Sequence, residues 1–194
     1  MYKPEYKNIE GWTPFEKVVR LKGLIKAIDA QNICEIGVYG GSSLIPMADA
    51  CREKGGGMCV GIDPWEPEAS KEGFDEGDAN RKWWGDLDHS WVYGLYCQKA
   101  HEFGVRDHIT VYKAYSHDVC HMFADNQFDI LHIDGNHSEL CSTRDVELYL
   151  PKVRKGGYIV FDDTDWPSTK KTQEMLDQHC QLLEHYGKWA IWAV

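Results

Sequence analysis

Two apolar runs that each end in carboxylates constrain this chain more than any other feature. The run Phe128-Asp129-Ile130-Leu131 leads into His132-Ile133-Asp134-Gly135-Asn136-His137, and Tyr158-Ile159-Val160 leads into Phe161-Asp162-Asp163-Thr164-Asp165-Trp166. Short apolar stretches of this kind read as buried strands, so both acidic motifs sit where a strand ends. In an open parallel sheet the carboxyl ends of the strands share one edge, and ligands bind in the crevice outside it. Asp134, Asp162 and Asp163 are therefore expected to converge. Gathered carboxylates raise one another's pKa unless a cation offsets them. An all-oxygen donor set suits Mg²⁺, or Mn²⁺ or Ca²⁺, rather than a structural Zn²⁺. Any one of these aspartates could instead cap the helix after its strand, but no cap needs two consecutive carboxylates.

A second constellation lies upstream. Asn32-Ile33-Cys34-Glu35-Ile36 reads as a buried strand that breaks at Gly37, followed by the turn Val38-Tyr39-Gly40-Gly41-Ser42-Ser43 and a helix over residues 44–54 with Ser43 as cap. The strand Met58-Cys59-Val60-Gly61-Ile62-Asp63 closes a βαβ unit, the building block of parallel sheets covered on both faces. Glycines let a ligand approach the backbone where a Cβ would block it. Asp63, ending the second strand, can accept hydrogen bonds from both hydroxyls of a ribose. The spacing Glu35-x-Gly37-x-x-Gly40-Gly41 departs from GxGxxG, and no Lys-Ser/Thr follows, which speaks against a P-loop. A nicotinamide-dependent oxidoreductase and a noncatalytic nucleotide- or metal-binding module remain as alternatives.

The rest of the chain supplies packing elements. Thr13-Pro14-Phe15-Glu16 has the marks of a capping box, and Phe15, Val18, Val19, Leu21, Leu24, Ile25 and Ile28 recur at helical spacing; no chemistry is expected of that helix. Residues 64–88 break the regular pattern, with Trp65, Trp83, Trp84, eight acidic residues and three basic ones. A stretch this long without regular structure is expected to be a lid, its aromatics closing over a ring, a sugar or adenine. A helix over 89–103, a strand over 108–112, Ser116 at another strand's carboxyl end, a helix over 138–150 and a turn at 155–157 follow. A helix from about 168 to 179 and a closing hairpin complete the chain. The expected architecture is α/β: a doubly wound, mostly parallel seven-stranded sheet with a C-terminal antiparallel hairpin. It forms one domain over 1–194, with an N-terminal helical segment over 1–30 and an inserted lid loop.

A net charge of −10 and a pI near 5.3 argue against nucleic acid and anionic membranes, which are bound through basic surfaces, and favour a small-molecule partner. Seven cysteines with no CxxC pair fit reduced thiols in the cytoplasm. The start of the chain lacks the apolar core of a signal peptide, and no apolar run approaches the ~18 residues of a membrane span. Homo-oligomerisation is left open.

Taken together, these residues resemble a class I S-adenosylmethionine (SAM)-dependent methyltransferase. More narrowly they resemble the metal-dependent small-molecule O-methyltransferases that include sugar-modifying enzymes of macrolide and aminocoumarin pathways. The resemblance runs from about Ile33 to Trp166 and rests on the loop from Cys34 to Ser42, on Gly61-Ile62-Asp63-Pro64-Trp65, and on the pairing of IDGxH with GGYxxxDD. It implies a Rossmann-like fold, SAM as cofactor and a hydroxylated acceptor such as a sugar or vicinal diol. By the same resemblance Glu35, Gly37, Gly41 and Ser42 belong to the loop at the methionine end of the cofactor, and Asp63 and Trp65 to the ribose strand. Ser116 would meet the adenine, Asp134 would border cofactor and metal, and Asp134, Asp162 and Asp163 would hold the metal. Some relatives carry a carboxylate two positions after the first metal aspartate, where this chain has Asn136. Others use a histidine three positions after it as base, which here is His137.

Overall fold

Strand periodicity explains how the sheet is covered on both sides. Neighbouring residues of each central strand face opposite cores. Ile33, Ile130 and Val160 enter one cluster, while Cys34, Leu131 and Ile159 enter the other. Strands buried on both faces read as continuous apolar runs, as these do. The computed structural model describes residues 3–194; the first two, part of the start read as lacking an apolar leader, lie outside the described residues.

The strands are β1 (Asn32–Ile36), β2 (Met58–Ile62), β3 (Ile109–Tyr112), β4 (Phe128–Ile133), β5 (Val153–Asp162), β6 (Gln181–His185) and β7 (Trp189–Ala193), in the sheet order β3-β2-β1-β4-β5-β7-β6. Pairings from β3 to β5 are parallel, and β7 joins β5 and β6 antiparallel, as expected. Register places the strand ends level: Ile36 pairs with both Ile62 and Ile133, and Ile133 with Phe161. The ladder continues one residue further, with Gly37 N–H donating to the Ile62 carbonyl at 2.9 Å and Asp134 N–H to the Ile36 carbonyl at 2.8 Å. Gly37, Asp63, Asp134 and Asp162 thus emerge along one edge.

The helices are α1 (Phe15–Ala27), α2 (Leu44–Lys54), α3 (Pro67–Lys71), α4 (Ala79–Gly85), α5 (His89–Glu102), α6 (Ser116–Val119), α7 (Glu139–Tyr149) and α8 (Lys170–His179). One core takes Leu21 and Ile25 of α1, Leu44 and Ile45 of α2 and Val92 and Tyr96 of α5. The other takes Val146 and Tyr149 of α7 and Leu176 of α8.

Three local expectations are corrected. Helix α1 has no side-chain cap, because the Thr13 hydroxyl lies 2.8 Å from the Ser42 hydroxyl instead. Its inward stripe is Lys17, Val18, Leu21, Lys22, Leu24 and Ile25, leaving Phe15 and Val19 exposed. Residues 64–88 hold two short helices, α3 and α4. Asp78 caps α4, accepting from the Asn80 N–H at 2.7 Å, and Arg144 of α7 grips Glu72 with both guanidinium nitrogens at 2.7 and 3.0 Å. Finally, β5 runs straight through Gly156 and Gly157, since the end of the chain pairs there: Gly156 N–H donates to the Val194 carbonyl at 2.8 Å, and Val194 N–H to the Gly157 carbonyl at 3.0 Å.

Candidate functional site

Above the level strand ends lies an open cleft, the concave kind of surface in which small molecules bind. Gly37, Asp63, Trp65, Ser116, Asp134 and His137 all line it. Glu35, Gly41, Ser42, Asp162 and Asp163 do not.

The turn after β1 is shaped by two glycines and one carboxylate. Gly37 has φ +86°, and a Cβ there would overlap the Asp134 carbonyl. Gly41 has φ +88°, and a Cβ there would strike Tyr96 and Ile45. Asp63 accepts from the backbone N–H groups of Val38 and Tyr39, both at 2.9 Å, and of Trp65 at 2.7 Å. A carboxylate has about four lone-pair sites, so roughly one remains for a ligand. Burial pushes the Asp63 carboxyl above its ordinary value against the pull of those three N–H groups. Trp65 is buried against Tyr93 and Tyr96, its indole N–H donating to the Tyr39 carbonyl at 2.9 Å. Tyr39, Trp65 and Asp163 each follow a strand end with φ near +50°, and left-handed non-glycine residues cluster at sites that the surrounding structure over-determines.

Beneath the cleft floor lies a buried charge network. Glu35 accepts from the Ser43 hydroxyl and sits 2.7 Å from His132 Nδ1. Nε2 of His132 lies 3.8 Å from Asp134 Oδ2 and 3.7 Å from Asp162 Oδ2. Those same two oxygens face Lys17 Nζ, which hydrogen-bonds Asp162 and lies 3.7 Å from Asp134. Burial and the Lys17 ammonium disfavour the His132 imidazolium, but Asp162 and Glu35 outweigh them, and its pKa is pushed up to about 9. Asp162 is held well below the carboxylate range, because Lys17 and His132 more than offset its burial. Asp134 is raised by burial and by Asp162. In the cleft wall, His137 Nε2 lies 3.0 Å from Asp163 Oδ2 and 3.5 Å from Asp134 Oδ1, its ring edge-on to Trp166.

The three aspartates were expected to hold a hard divalent ion, and the geometry does not accommodate one as the side chains stand. Mg²⁺ needs oxygens about 2.0–2.1 Å away in octahedral array. The space an ion would share between Asp134 Oδ2 and Asp162 Oδ2 is faced by the Lys17 ammonium, which hydrogen-bonds Asp162 and lies 3.7 Å from Asp134. Among the described residues the compact donor trio is Glu35, His132 and Asp134, within 4.8 Å of one another, and it borders this same occupied space. Glu35 Oε2, His132 Nε2 and Asp162 Oδ1 are buried without a hydrogen-bond partner, but two oxygens and one ring nitrogen fall short of the six oxygens of an octahedral site.

Three residues have roles here that the sequence reading did not assign them. Asp145 accepts from the Ser116 hydroxyl, and burial pushes its carboxyl up to about 6. Asn136 ties the insert down, donating to the Ala69 and Glu72 carbonyls, both at 2.9 Å. Lys17 had one legible sign: it stands on the face of α1 that also bears Leu21 and Leu24.

A level edge of parallel strand ends, a glycine turn wrapped around an acidic β2 terminus and an antiparallel β7 define a class I, SAM-dependent type of methyltransferase domain. A family model described as a methyltransferase domain matches residues 34–164, more than half of the chain, and the chain belongs to that family. Among solved structures, a putative O-methyltransferase from Klebsiella pneumoniae is 16% identical with a TM-score of 0.73, covering 100% of this chain and 91% of its own. The O-methyltransferase TomG of Streptomyces achromogenes, solved with SAM, is 17% identical with a TM-score of 0.72 over 100% of this chain and 91% of its own. An O-methyltransferase from Bacillus cereus, in complex with SAH, is 17% identical with a TM-score of 0.67 over 97% of this chain and 86% of its own. Similarity at this level speaks to the fold. A 38-residue segment, 20% of this chain, is 55% identical to the uncharacterized protein R132 of Acanthamoeba polyphaga mimivirus and spans 17% of that protein. Among the described residues no helix is long and apolar enough to cross a membrane.

Proposed function

We propose that this domain transfers the methyl group of SAM to an oxygen of a small hydroxylated acceptor, a sugar or other vicinal diol. One observation carries the reading: His137 stands in the wall of the cleft with two carboxylates on its Nε2. Methyl transfer is an in-line displacement in which the acceptor oxygen forms the new C–O bond as the C–S bond of the sulfonium breaks, leaving S-adenosylhomocysteine. The acceptor must lose its hydroxyl proton, and the contact of Nε2 with Asp163 leaves Nδ1 as the nitrogen to take it. Asp134 and Asp163 then stabilise the imidazolium that forms. On the cofactor side, Asp63 has one lone pair left for the ribose, Gly37 admits the methionine end, and Ser116, with Asp145 behind it, meets the adenine. Glu35, Gly41 and Ser42 support the turn from within rather than touching the ligand. The likeness to TomG and to the Klebsiella and Bacillus proteins, which are described as O-methyltransferases, supports an oxygen acceptor.

Acceptor specificity belongs to the insert. Trp84 and Phe74 line the cleft from it, and Trp12, Tyr39, Trp83 and Trp84 pack ring against ring beside it, with centroids 4.8 to 5.8 Å apart. Aromatic faces of this kind suit the C–H face of a sugar. Seven free thiols support a reducing, cytoplasmic setting. The decisive experiment incubates the protein with methyl-labelled SAM and a panel of sugars, vicinal diols and catechols. Label appearing as a methyl ether is the expected result; label transferred only to nitrogen or sulfur nucleophiles in a parallel panel would overturn it.

A further inference from the structure

Helix α1 delivers a lysine to a place beneath the cleft where several carboxylates meet. Lys17 is 1% exposed, its stem lies in the apolar stripe with Val18 and Leu21, and its ammonium hydrogen-bonds Asp162 and lies 3.7 Å from Asp134. We propose that Lys17 is the resident cation of this site, occupying the position of a divalent ion between Asp134 and Asp162, so that the protein binds no divalent metal there.

Two observations carry the proposal. The first is space: Lys17 Nζ and His132 Nε2 both converge on Asp134 Oδ2 and Asp162 Oδ2. The oxygens an ion would share are therefore already faced by two nitrogens. The second is confinement. A lysine buried this fully cannot retract without leaving its ammonium unpaired in an apolar interior, which is far costlier than the paired state.

Lys17 is a positioning residue. By holding Asp134 Oδ2, it leaves Oδ1 turned to His137 at 3.5 Å, and on the reading of His137 as base it thereby orients the group that takes the acceptor proton. Metal exclusion itself does not depend on that reading.

The test is Mn²⁺ binding followed by electron paramagnetic resonance in the wild type, Lys17→Ala, Lys17→Met and Lys17→Ala/Asp162→Asn, with SAM binding measured in parallel by calorimetry. The wild type is expected to bind no Mn²⁺. Lys17→Ala is expected to bind one equivalent at least ~10-fold tighter than any wild-type binding, and the added Asp162→Asn change to abolish it. A purely structural lysine would not create a metal site on removal. Should Lys17→Ala fold poorly, Mn²⁺ is expected to raise its melting temperature, and that of Lys17→Met, while leaving the wild type unmoved. A wild type that binds Mn²⁺ and loses it on Asp162→Asn overturns the proposal, and so do folded Lys17 variants that bind none. Failure of SAM binding with these Mn²⁺ results intact would strike the proposed function and leave metal exclusion standing.

Discussion

Lys17 and Asp162, 145 positions apart, form an ion pair beneath the cleft, one from the buried face of α1 and the other from the end of β5. A buried ion pair is weak evidence of net stability, since desolvation offsets most of the Coulomb gain. Its removal from one side is a different matter. Lys17→Met leaves Asp162 ionised and buried with only His132 for charge, and is expected to cost about 3–5 kcal/mol in urea unfolding. Lys17→Met/Asp162→Asn, lacking the orphan charge, is expected to recover at least half of that loss. A double variant less stable than Lys17→Met would show that the pair is not energetically coupled.

Asp63 organises the turn as well as the ligand. Asp63→Ala frees three N–H groups at once, and SAM affinity is expected to fall by about 1.5–3 kcal/mol, the scale of hydrogen bonds to a charged group. Equal dissociation constants for wild type and variant in calorimetry would remove Asp63 from the cofactor site.

His137 is expected to set the acidic limb of the rate profile. Burial opposes its imidazolium, but Asp134 and Asp163 outweigh burial and raise its pKa above 6.5. The base form exists above that raised value, so the single-turnover rate should fall as pH drops through a point higher than an ordinary histidine's. His137→Ala and His137→Gln should each lower the rate by ~10²- to 10⁴-fold. A near-normal rate with an unchanged acidic limb in either variant would exclude His137 as the base.

His132 predicts a stability change on the alkaline side. Its pKa rises from 6.5 to about 9 on folding, so its contribution is fully present below 6.5 and is lost as pH climbs through about 9. The integrated effect is at most ~3 kcal/mol. Urea midpoints measured from about pH 6 to about pH 9.5 should decline in the wild type and decline less in His132→Asn. Parallel curves would show that His132 carries no extra proton in the folded state.

Gly37→Ala tests the closeness of β1 and β4 at the cleft floor. Its Cβ would meet the Asp134 carbonyl at a φ that side chains rarely adopt, so the variant should lose SAM binding. Retention of wild-type affinity would mean that the two strand ends can part without consequence.

What the sequence by itself determined is local: apolar runs that end at Ile36, Ile62, Ile133 and Phe161, the glycine break after β1, and the acidic residues that follow each remaining run. Periodicity of two, turn chemistry and the rule that parallel strands end on one edge are properties of short segments, and they were enough to bring Asp63, Asp134, Ser116 and His137 to one cleft. Tertiary structure decided what those carboxylates meet. Helical spacing marks α1 as amphipathic but leaves its rotation free by about one residue. Packing against α2 chose the face that buries Lys17 and Lys22 and exposes Phe15 and Val19. Only that choice puts an ammonium where composition and motif pointed to a metal ion. The Asp63 carboxylate was likewise legible as an acceptor, but not that the turn 25 residues upstream would fill most of it with its own N–H groups. Charge compensation in a buried cluster depends on whichever cation the fold brings within a few ångströms, and no segment of the chain carries that information alone.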